Sequence, residues 1–400
     1  MDVDLKKLLI AYAAAFVGPF GGNAVIPLFS LLETELNTSY ALITLSITFM
    51  MIPFAIIQFF SGTISDLFNR QVICAGGLLI YGIGALVIAI SQTFEIFIFG
   101  RIIQGLGYGI LFPVTVALVG DLSSPSQRGK IMGFFGACTT AGVAFGPLSA
   151  GFLAHFGWQI IFYIIAGVSI LIGITLWFCF RDFPLPSPKK RGVREFFSQM
   201  KNTITKNILL FAIIGFIIFM SYIGVNASIG ERYSLLFPAL PENQISSETG
   251  LILAAAGISG IIISPFAGLS TDKFGRKTTA YIGAIILTIS LSLFSLGNSF
   301  LSFFILFYCM GTGAAVIWAA FNTLTVELDP MAKGTVSSIA NGFRFLGYSL
   351  GSPLYIIFGL PTLYFACTFL TLITLFLLLF LKTKSDFMES NGIKNKFIES

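Results

Sequence analysis

Two arginines, Arg101 and Arg344, interrupt long apolar runs, and one acid–base string is written twice. It reads Gly62-x-x-x-Asp66-x-x-x-Arg70 first and Gly268-x-x-x-Asp272-x-x-x-Arg276 206 residues later. Aspartate and arginine four apart share a helical turn, so each string is an ion-pair unit. Asp121 and Glu327, spaced by the same interval, extend the units to Asp66–Arg70–Asp121 and Asp272–Arg276–Glu327. An isolated interfacial pair contributes only about 0–1 kcal/mol, but a cluster that forms in one conformation biases a two-state equilibrium. An arginine at the centre of a membrane helix costs about 2.5–3.5 kcal/mol on insertion scales, and less near an end. Arg101 lies near one end of its run, so it either snorkels to the surface or is buried against carbonyls or a carboxylate, with Gln104 one turn on in support. Arg344 lies deeper, close to Asn341, and the same interval places Cys138 opposite it. It either meets a negative charge on a substrate or stabilises the fold. None of the 18 acidic residues lies securely at the middle of a run. Glu231 comes nearest and is the best candidate to carry a proton, pairing with Arg232 or lipid headgroups being its rival.

Chemistry of other kinds is poorly provided for. The single histidine, His155, falls in a loop, and Cys74, Cys138, Cys179, Cys309 and Cys367 are scattered singly in apolar runs. No CxxC pair or metal-ligand spacing occurs, and no nucleotide-binding loop of the Walker type. The expectation is a protein that is not an enzyme and needs no metal or cofactor.

The elements that must position these residues are membrane helices. The chain has 400 residues, of which 56% are hydrophobic and 10% charged, with a mean hydropathy of +0.91. A soluble chain carries about 25% charged residues. Twelve runs approach the roughly 20 apolar residues that span a bilayer: 9–32, 41–61, 72–91, 96–119, 130–153, 159–180, 207–230, 248–267, 279–298, 301–325, 335–358 and 361–381. Continuous runs of this length exclude a β-barrel, whose strands alternate over about ten residues. The first run follows Lys6 and Lys7 as a signal peptide would, but it is too long and lacks a small-residue cleavage site, and is read as a spanning helix. Placing the start of the chain inside puts 20 of the 23 basic residues on the cytoplasmic side, so the positive-inside rule predicts both termini there. The charge of +5 then needs no nucleic acid as partner; the partner is the bilayer.

The chain reads as two halves. Residues 1–180 form one six-helix bundle and 207–381 the other. Residues 181–206, with Pro184, Pro186, Pro188 and the basic Lys189, Lys190, Arg191 and Arg194, are a linker suited to an anionic membrane surface, with a short amphipathic helix expected over 193–206. Residues 382–400 are a cytoplasmic tail. At the interval of 206, Gly105 and Gly107 match Gly311 and Gly313, Gly136 matches Gly342, and Pro147 matches Pro353. Asn23-Ala24-Val25-Ile26 meets Asn226-Ala227-Ser228-Ile229 at 203. Parallel repeats of this kind place a substrate near the bilayer midplane between the halves.

Several stretches resemble the major facilitator superfamily over nearly the full length. The loops GTISDLFNRQ and GLSTDKFGRK resemble the family's loop motif; Asn69 stands where the family has glycine and is expected to adopt the same left-handed backbone. Arg101-Ile-Ile-Gln104-Gly105 resembles its fourth-helix motif, and Gly142-Val-Ala-Phe-Gly146-Pro147 with Gly151 the fifth-helix motif associated with antiporters. The resemblance implies an all-α membrane fold of twelve spanning helices, monomeric by family default, in the plasma membrane. It implies a cytoplasmic gate at Gly62, Asp66, Arg70, Asp121, Gly268, Asp272, Arg276 and Glu327, and coupling through Arg101 with Gln104. Helices 1, 4, 7 and 10 line the family's cavity, which makes Asn23, Tyr108, Tyr222, Asn226, Trp318 and Asn322 the candidate substrate contacts beside Arg344. With 44 phenylalanines, that cavity is expected to be aromatic with a few polar groups. The function expected is a secondary active transporter that works by alternating access, a proton-coupled exporter of drug-like or small amphiphilic molecules. The alternative is a proton-coupled importer of a sugar, organic anion or other metabolite.

Overall fold

Apolar runs of this length have no water to satisfy their backbone, so each closes its hydrogen bonds on itself as a helix. The computed structural model describes residues 5–60, 69–124, 127–181, 201, 203–329 and 332–382. Gly62, Asp66, nearly all of the linker with its expected surface helix, and the tail beyond residue 382 lie outside the described residues. The first span, α1, runs Leu5–Asn23 and continues, after a 3-10 turn over Ile26–Leu28, as Phe29–Glu35. There follow α2 (Tyr40–Phe59), α3 (Arg70–Ala89), α4 (Phe94–Leu122), α5 (Arg128–Leu153) and α6 (Gln159–Cys179). The second half holds α7 (Lys206–Leu236), α8 (Glu242–Phe274), α9 (Arg276–Leu293), α10 (Phe300–Glu327), α11 (Lys333–Phe358) and α12 (Thr362–Phe380). Each falls on one of the twelve expected runs, α8 overshooting its run at both ends. Among the described residues eleven of these spans are long and apolar enough to cross a membrane. The remaining one, α11, carries Ser337, Asn341, Arg344, Tyr348 and Ser352 at helical spacing, and that polar stripe dilutes its hydropathy.

The repeat is structural at these helix crossings. A Cβ built on Gly105 of α4 would sit 2.0 Å from the Met50 carbonyl oxygen of α2, and one on Gly311 of α10 2.3 Å from the Ala256 oxygen of α8. Gly107 likewise faces Tyr81 on α3, and Gly313 faces Leu287 on α9. Met50 and Ala256, and Tyr81 and Leu287, are again 206 residues apart. The same small residues let the same backbones meet in both halves. Prolines sit inside α1, α2, α4, α5, α8 and α11 (Pro19, Pro53, Pro113, Pro147, Pro265 and Pro353). No proline interrupts α3, α6, α7, α9, α10 or α12.

The two ends of the bundle differ in charge. One end, here the basic end, carries Arg70, Arg128, Lys130, Lys206, Lys273, Arg276 and Lys277; the acidic end carries Glu33, Glu35, Glu95, Glu231, Glu242 and Glu248.

Candidate functional site

The halves are hydrogen-bonded on the acidic side of the middle, while toward the basic end α2 and α11 stay packed through Phe59, Gly342 and Phe343. Tyr348 of α11 donates its hydroxyl to Asn23 Oδ1 (2.9 Å), and Thr48 Oγ1 of α2 donates to the Ser349 carbonyl (2.6 Å). Nearer the acidic end, Tyr40 donates to the Ala227 carbonyl (2.8 Å) and Thr34 Oγ1 to Glu242 (2.5 Å). Ser247 of α8 donates to the Gly151 carbonyl of α5 (2.8 Å) and lies 2.9 Å from His155 Nε2. Glu231 joins this layer: it accepts from Tyr355 of α11 at 2.5 Å, while Arg232 turns away to the carbonyls of Ser295 and Gly297.

The seam between α5 and α8 follows the same polarity. A Cβ on Gly250 would lie 2.6 Å from the Pro147 carbonyl oxygen, and one on Gly257 2.6 Å from Ala144. At Gly260 the nearest neighbour is Thr140 Cγ2, at 3.1 Å, and beyond it Gly133, Gly136 and Gly268 have nothing within 4 Å. The two helices therefore part toward the basic end. Gly142 and Gly146 serve another crossing, since Cβ atoms there would meet the Phe16 and Phe20 carbonyls of α1 at 2.5 and 2.2 Å. Gly151 takes α8 against α5, 2.5 Å from the Ser246 oxygen by the same measure.

Below the Asn23–Tyr348 bridge lies a narrow, partly open recess with about 20 Å³ of free volume. Phe211 and Gly215 of α7, Trp318, Phe321, Asn322 and Thr325 of α10, and Ser337, Ala340, Asn341 and Arg344 of α11 line it. Arg344 is eleven residues into α11, about 16 Å deep at 1.5 Å per residue. It is 7% exposed, and its guanidinium carbon sits 3.6 Å over the Trp318 ring, 4.0 Å over Phe345 and 5.0 Å over Phe219. Each such contact contributes roughly 0.5–2 kcal/mol and offsets part of the cost of burying the charge. Arg344 Nε has no hydrogen-bond partner among the described residues.

Arg101 is answered differently. It is fully buried and donates to the Ser46, Gly22 and Gly21 carbonyls at 3.2, 3.2 and 3.5 Å and to Gln104 Oε1 at 2.8 Å. The first segment of α1 ends at Asn23, so its last carbonyls have no helical donor, and Arg101 supplies them. It does not snorkel; it clasps α1, α2 and α4 together.

At the basic end, Arg70 is ion-paired with Asp121 and also meets the Ala117 carbonyl. Its counterpart Arg276 pairs with Glu327 at 2.9 Å. These pairs tie α3 to α4 and α9 to α10, within each half. Asp272 is exposed and makes no ion pair among the described residues. Asn69 corrects one expectation. Its backbone is extended (φ −64°, ψ 117°), and its side chain caps α3 by accepting from Gln71 N at 3.0 Å, whereas Gly275, 206 residues on, has φ +85°. With a side chain able to cap the helix, asparagine avoids the conformation that glycine adopts freely.

The remaining cavity candidates fall near the middle. Asn23 and Asn226 each donate to the carbonyl one turn back, Pro19 (2.8 Å) and Tyr222 (2.6 Å). Tyr108 stacks on Phe54 at 4.4 Å, and Phe54 meets Phe345 edge-on at 4.5 Å, a run of rings that crosses from one half to Arg344 in the other. Sequence reasoning missed Tyr348, Tyr355, Phe54 and Phe345. Tyr348 and Tyr355 continue the polar stripe of α11, the signal by which they were legible. Among the described residues no cluster of three or more His, Cys, Asp or Glu is placed to hold a metal.

Comparison with known proteins agrees with this geometry. A family model described as Major Facilitator Superfamily matches residues 11–352 and, overlapping, 232–396. The bacillibactin exporter of Bacillus subtilis (strain 168) is 24% identical over 396 residues, 94% of this chain and 96% of that protein. Quinolone resistance protein NorA of Staphylococcus aureus (strain MSSA476) is 22% identical over 356 residues, 88% of this chain and 90% of that protein. A crystal structure of a D-xylose-proton symporter superposes with a TM-score of 0.72 at 17% identity, covering 94% of this chain and 97% of that one.

Proposed function

The chain belongs to the Major Facilitator Superfamily and is a membrane transporter, and we propose that it is a proton-driven exporter of small amphiphilic molecules. The observation that carries this reading is the polarity of the seam: hydrogen bonds join the halves at the acidic end, and the aromatic recess lies on the side where α5 and α8 part. That is one of the two states alternating access requires. The basic end faces the cytoplasm by the positive-inside rule, both termini with it, in the plasma membrane. A cavity loaded from that side suits export, and the full-length relatives named as an exporter and a resistance protein support the direction. The symporter supports the fold alone.

In this reading residues 1–180 and 207–381 rock against each other, with 181–206 as their tether and 382–400 as a tail. Asn23, Tyr108, Tyr222, Asn226, Trp318, Asn322 and Arg344 face the substrate. Arg101 and Gln104 hold the cavity helices in place. Glu231 carries the proton. It is 16 residues along α7 from Gly215 of the recess, about 24 Å away. Protonation therefore acts by loosening the acidic-end layer rather than by touching substrate. A proton moved through 100 mV supplies about 2.3 kcal/mol. Arg70–Asp121 and Arg276–Glu327 brace the ends that Asp66, Asp272 and the glycines Gly62 and Gly268 would bring together, and Gly142, Gly146, Pro147 and Gly151 let α5 bend between its neighbours.

The test is accumulation of a fluorescent amphiphile in inverted membrane vesicles holding the protein. Uptake on energisation, abolished by a protonophore and by Glu231→Gln, is the expected result. Proton-dependent movement in the opposite direction would move the assignment to the importer, and movement indifferent to the gradient would remove the coupling.

A further inference from the structure

Among the described residues two guanidinium groups are buried, and only Arg101 is satisfied by polar groups of the chain. Arg101 spends its donors on three backbone carbonyls and Gln104. Arg344, also buried, meets rings: Trp318, Phe345 and Phe219 cover its faces, which leaves its N–H donors, all in the guanidinium plane, without a carboxylate. Neither ion pair recorded among the described residues involves it. Among the described residues no Asp or Glu lines the recess, and the nearest acid along α10, Glu327, is engaged by Arg276. The polar groups present are neutral: Asn322, Thr325, Ser337 and Asn341, with Asn341 donating to Ser337 at 3.2 Å.

A planar cation with its faces stacked accepts partners only in its own plane, where its fork of donors matches two coplanar oxygens. Phe211, Phe321 and Trp318 beside it offer apolar walls to whatever carries those oxygens. We propose that the recess is the anchoring site for a carboxylate on a ring-bearing, apolar body, so that the transported molecule is an organic anion rather than a cationic or neutral amphiphile. This inference rests on the reading of the recess as the transport cavity. It adds what that reading lacks, the charge of the substrate and the residue that selects it. Arg344 holds the carboxylate, Trp318 and Phe345 fix the plane in which it must approach, and Asn322 and Asn341 are placed at the rim.

The probe is 2-naphthoate, with 2-naphthamide and 2-naphthylmethylammonium as neutral and cationic partners of the same body. Equilibrium binding of labelled 2-naphthoate is measured on the full chain in phosphatidylcholine nanodiscs, which present no anionic headgroup. Saturable binding is expected, with the amide and the ammonium competing at least about tenfold less well, a difference of about 1.4 kcal/mol. Arg344→Gln should lose that preference and bind the three alike. Arg344→Lys, which keeps the charge without the fork, should retain preference over the amide at reduced affinity. It also serves should the glutamine variant fail to fold. Equal binding of the three by the unaltered protein, tighter binding of the ammonium, or no saturable binding of the carboxylate each overturns the assignment. Naphthoate binding that disappears when phosphatidylglycerol is added to the discs would assign the site to an anionic lipid instead. The measurement has no direction, so its failure leaves the export reading to the vesicle assay, and failure of export leaves the anion site standing.

Discussion

A buried guanidinium must be answered by something, and the two answers here predict opposite consequences for stability. Replacing Arg101 with methionine roughly keeps the volume and removes every donor, leaving the end carbonyls Gly21 and Gly22 of the first α1 segment and the Gln104 side chain to find partners in a dry place. Each buried acceptor left unmade costs about 1–3 kcal/mol, so Arg101→Met should melt well below the unaltered protein in detergent. Arg344→Met loses no recorded hydrogen bond and relieves the burial of a charge, a change that is often neutral or stabilising. It should melt within a few degrees of the parent, or above it, while losing transport. Equal destabilisation by the two would mean that Arg344 is a structural group. The sequence marks both as arginines in apolar runs but leaves their answers open. Three of Arg101's four partners are backbone carbonyls 55 to 80 residues away, which no local spacing reveals.

Helices meet where glycine lets them, and the repeat predicts which glycines matter. Gly311→Ala would drive a methyl into the Ala256 carbonyl, 2.3 Å away, and Gly105→Ala into that of Met50. Such overpacking typically costs about 1–3 kcal/mol. Gly136→Ala meets nothing within 4 Å and should gain up to about 1 kcal/mol of helix propensity. Thermal unfolding of the three variants checks both signs at once. Gly136 and its counterpart Gly342, whose Cβ would lie 2.5 Å from the Phe59 ring, show where the pseudo-symmetry breaks: α2 and α11 stay packed toward the basic end while α5 and α8 part. Twelve spans were legible because each long apolar run can satisfy its backbone only as a helix. The bridge from Tyr348 to Asn23 was not, since it joins faces 325 residues apart, and periodicity names a face without naming what opposes it.

In an alternating-access cycle the basic end must close before the other end opens, and the α5–α8 seam states the register of that closure. Where the helices touch, Gly151 lies against Ser246 and Ser247, Pro147 against Gly250, Ala144 against Gly257 and Thr140 against Gly260. Continuing that antiparallel register past the point where they part brings Gly133 opposite Gly268 and Arg128 opposite Asp272. Both members of the second pair are exposed, and Arg128 opens α5, whose N-terminus adds positive potential for a carboxylate. We propose Asp272 as the latch of the closed state, with Arg276–Glu327, already formed, bracing the end that carries it. Gly133→Cys and Gly268→Cys, at two glycines with open space around them in a chain freed of its native cysteines, should be joined through two disulfides by a short bis-methanethiosulfonate reagent only when this end closes. The cross-linked protein should not transport until reduced. Adding Asp272→Asn should lower the yield severalfold, an exposed pair and a helix terminus together contributing roughly 1 kcal/mol, and should leave the Arg344 site's affinity for its probe unchanged in the open form. A yield indifferent to Asp272 would remove the latch, and no cross-link under any condition would show that the register does not continue through the seam.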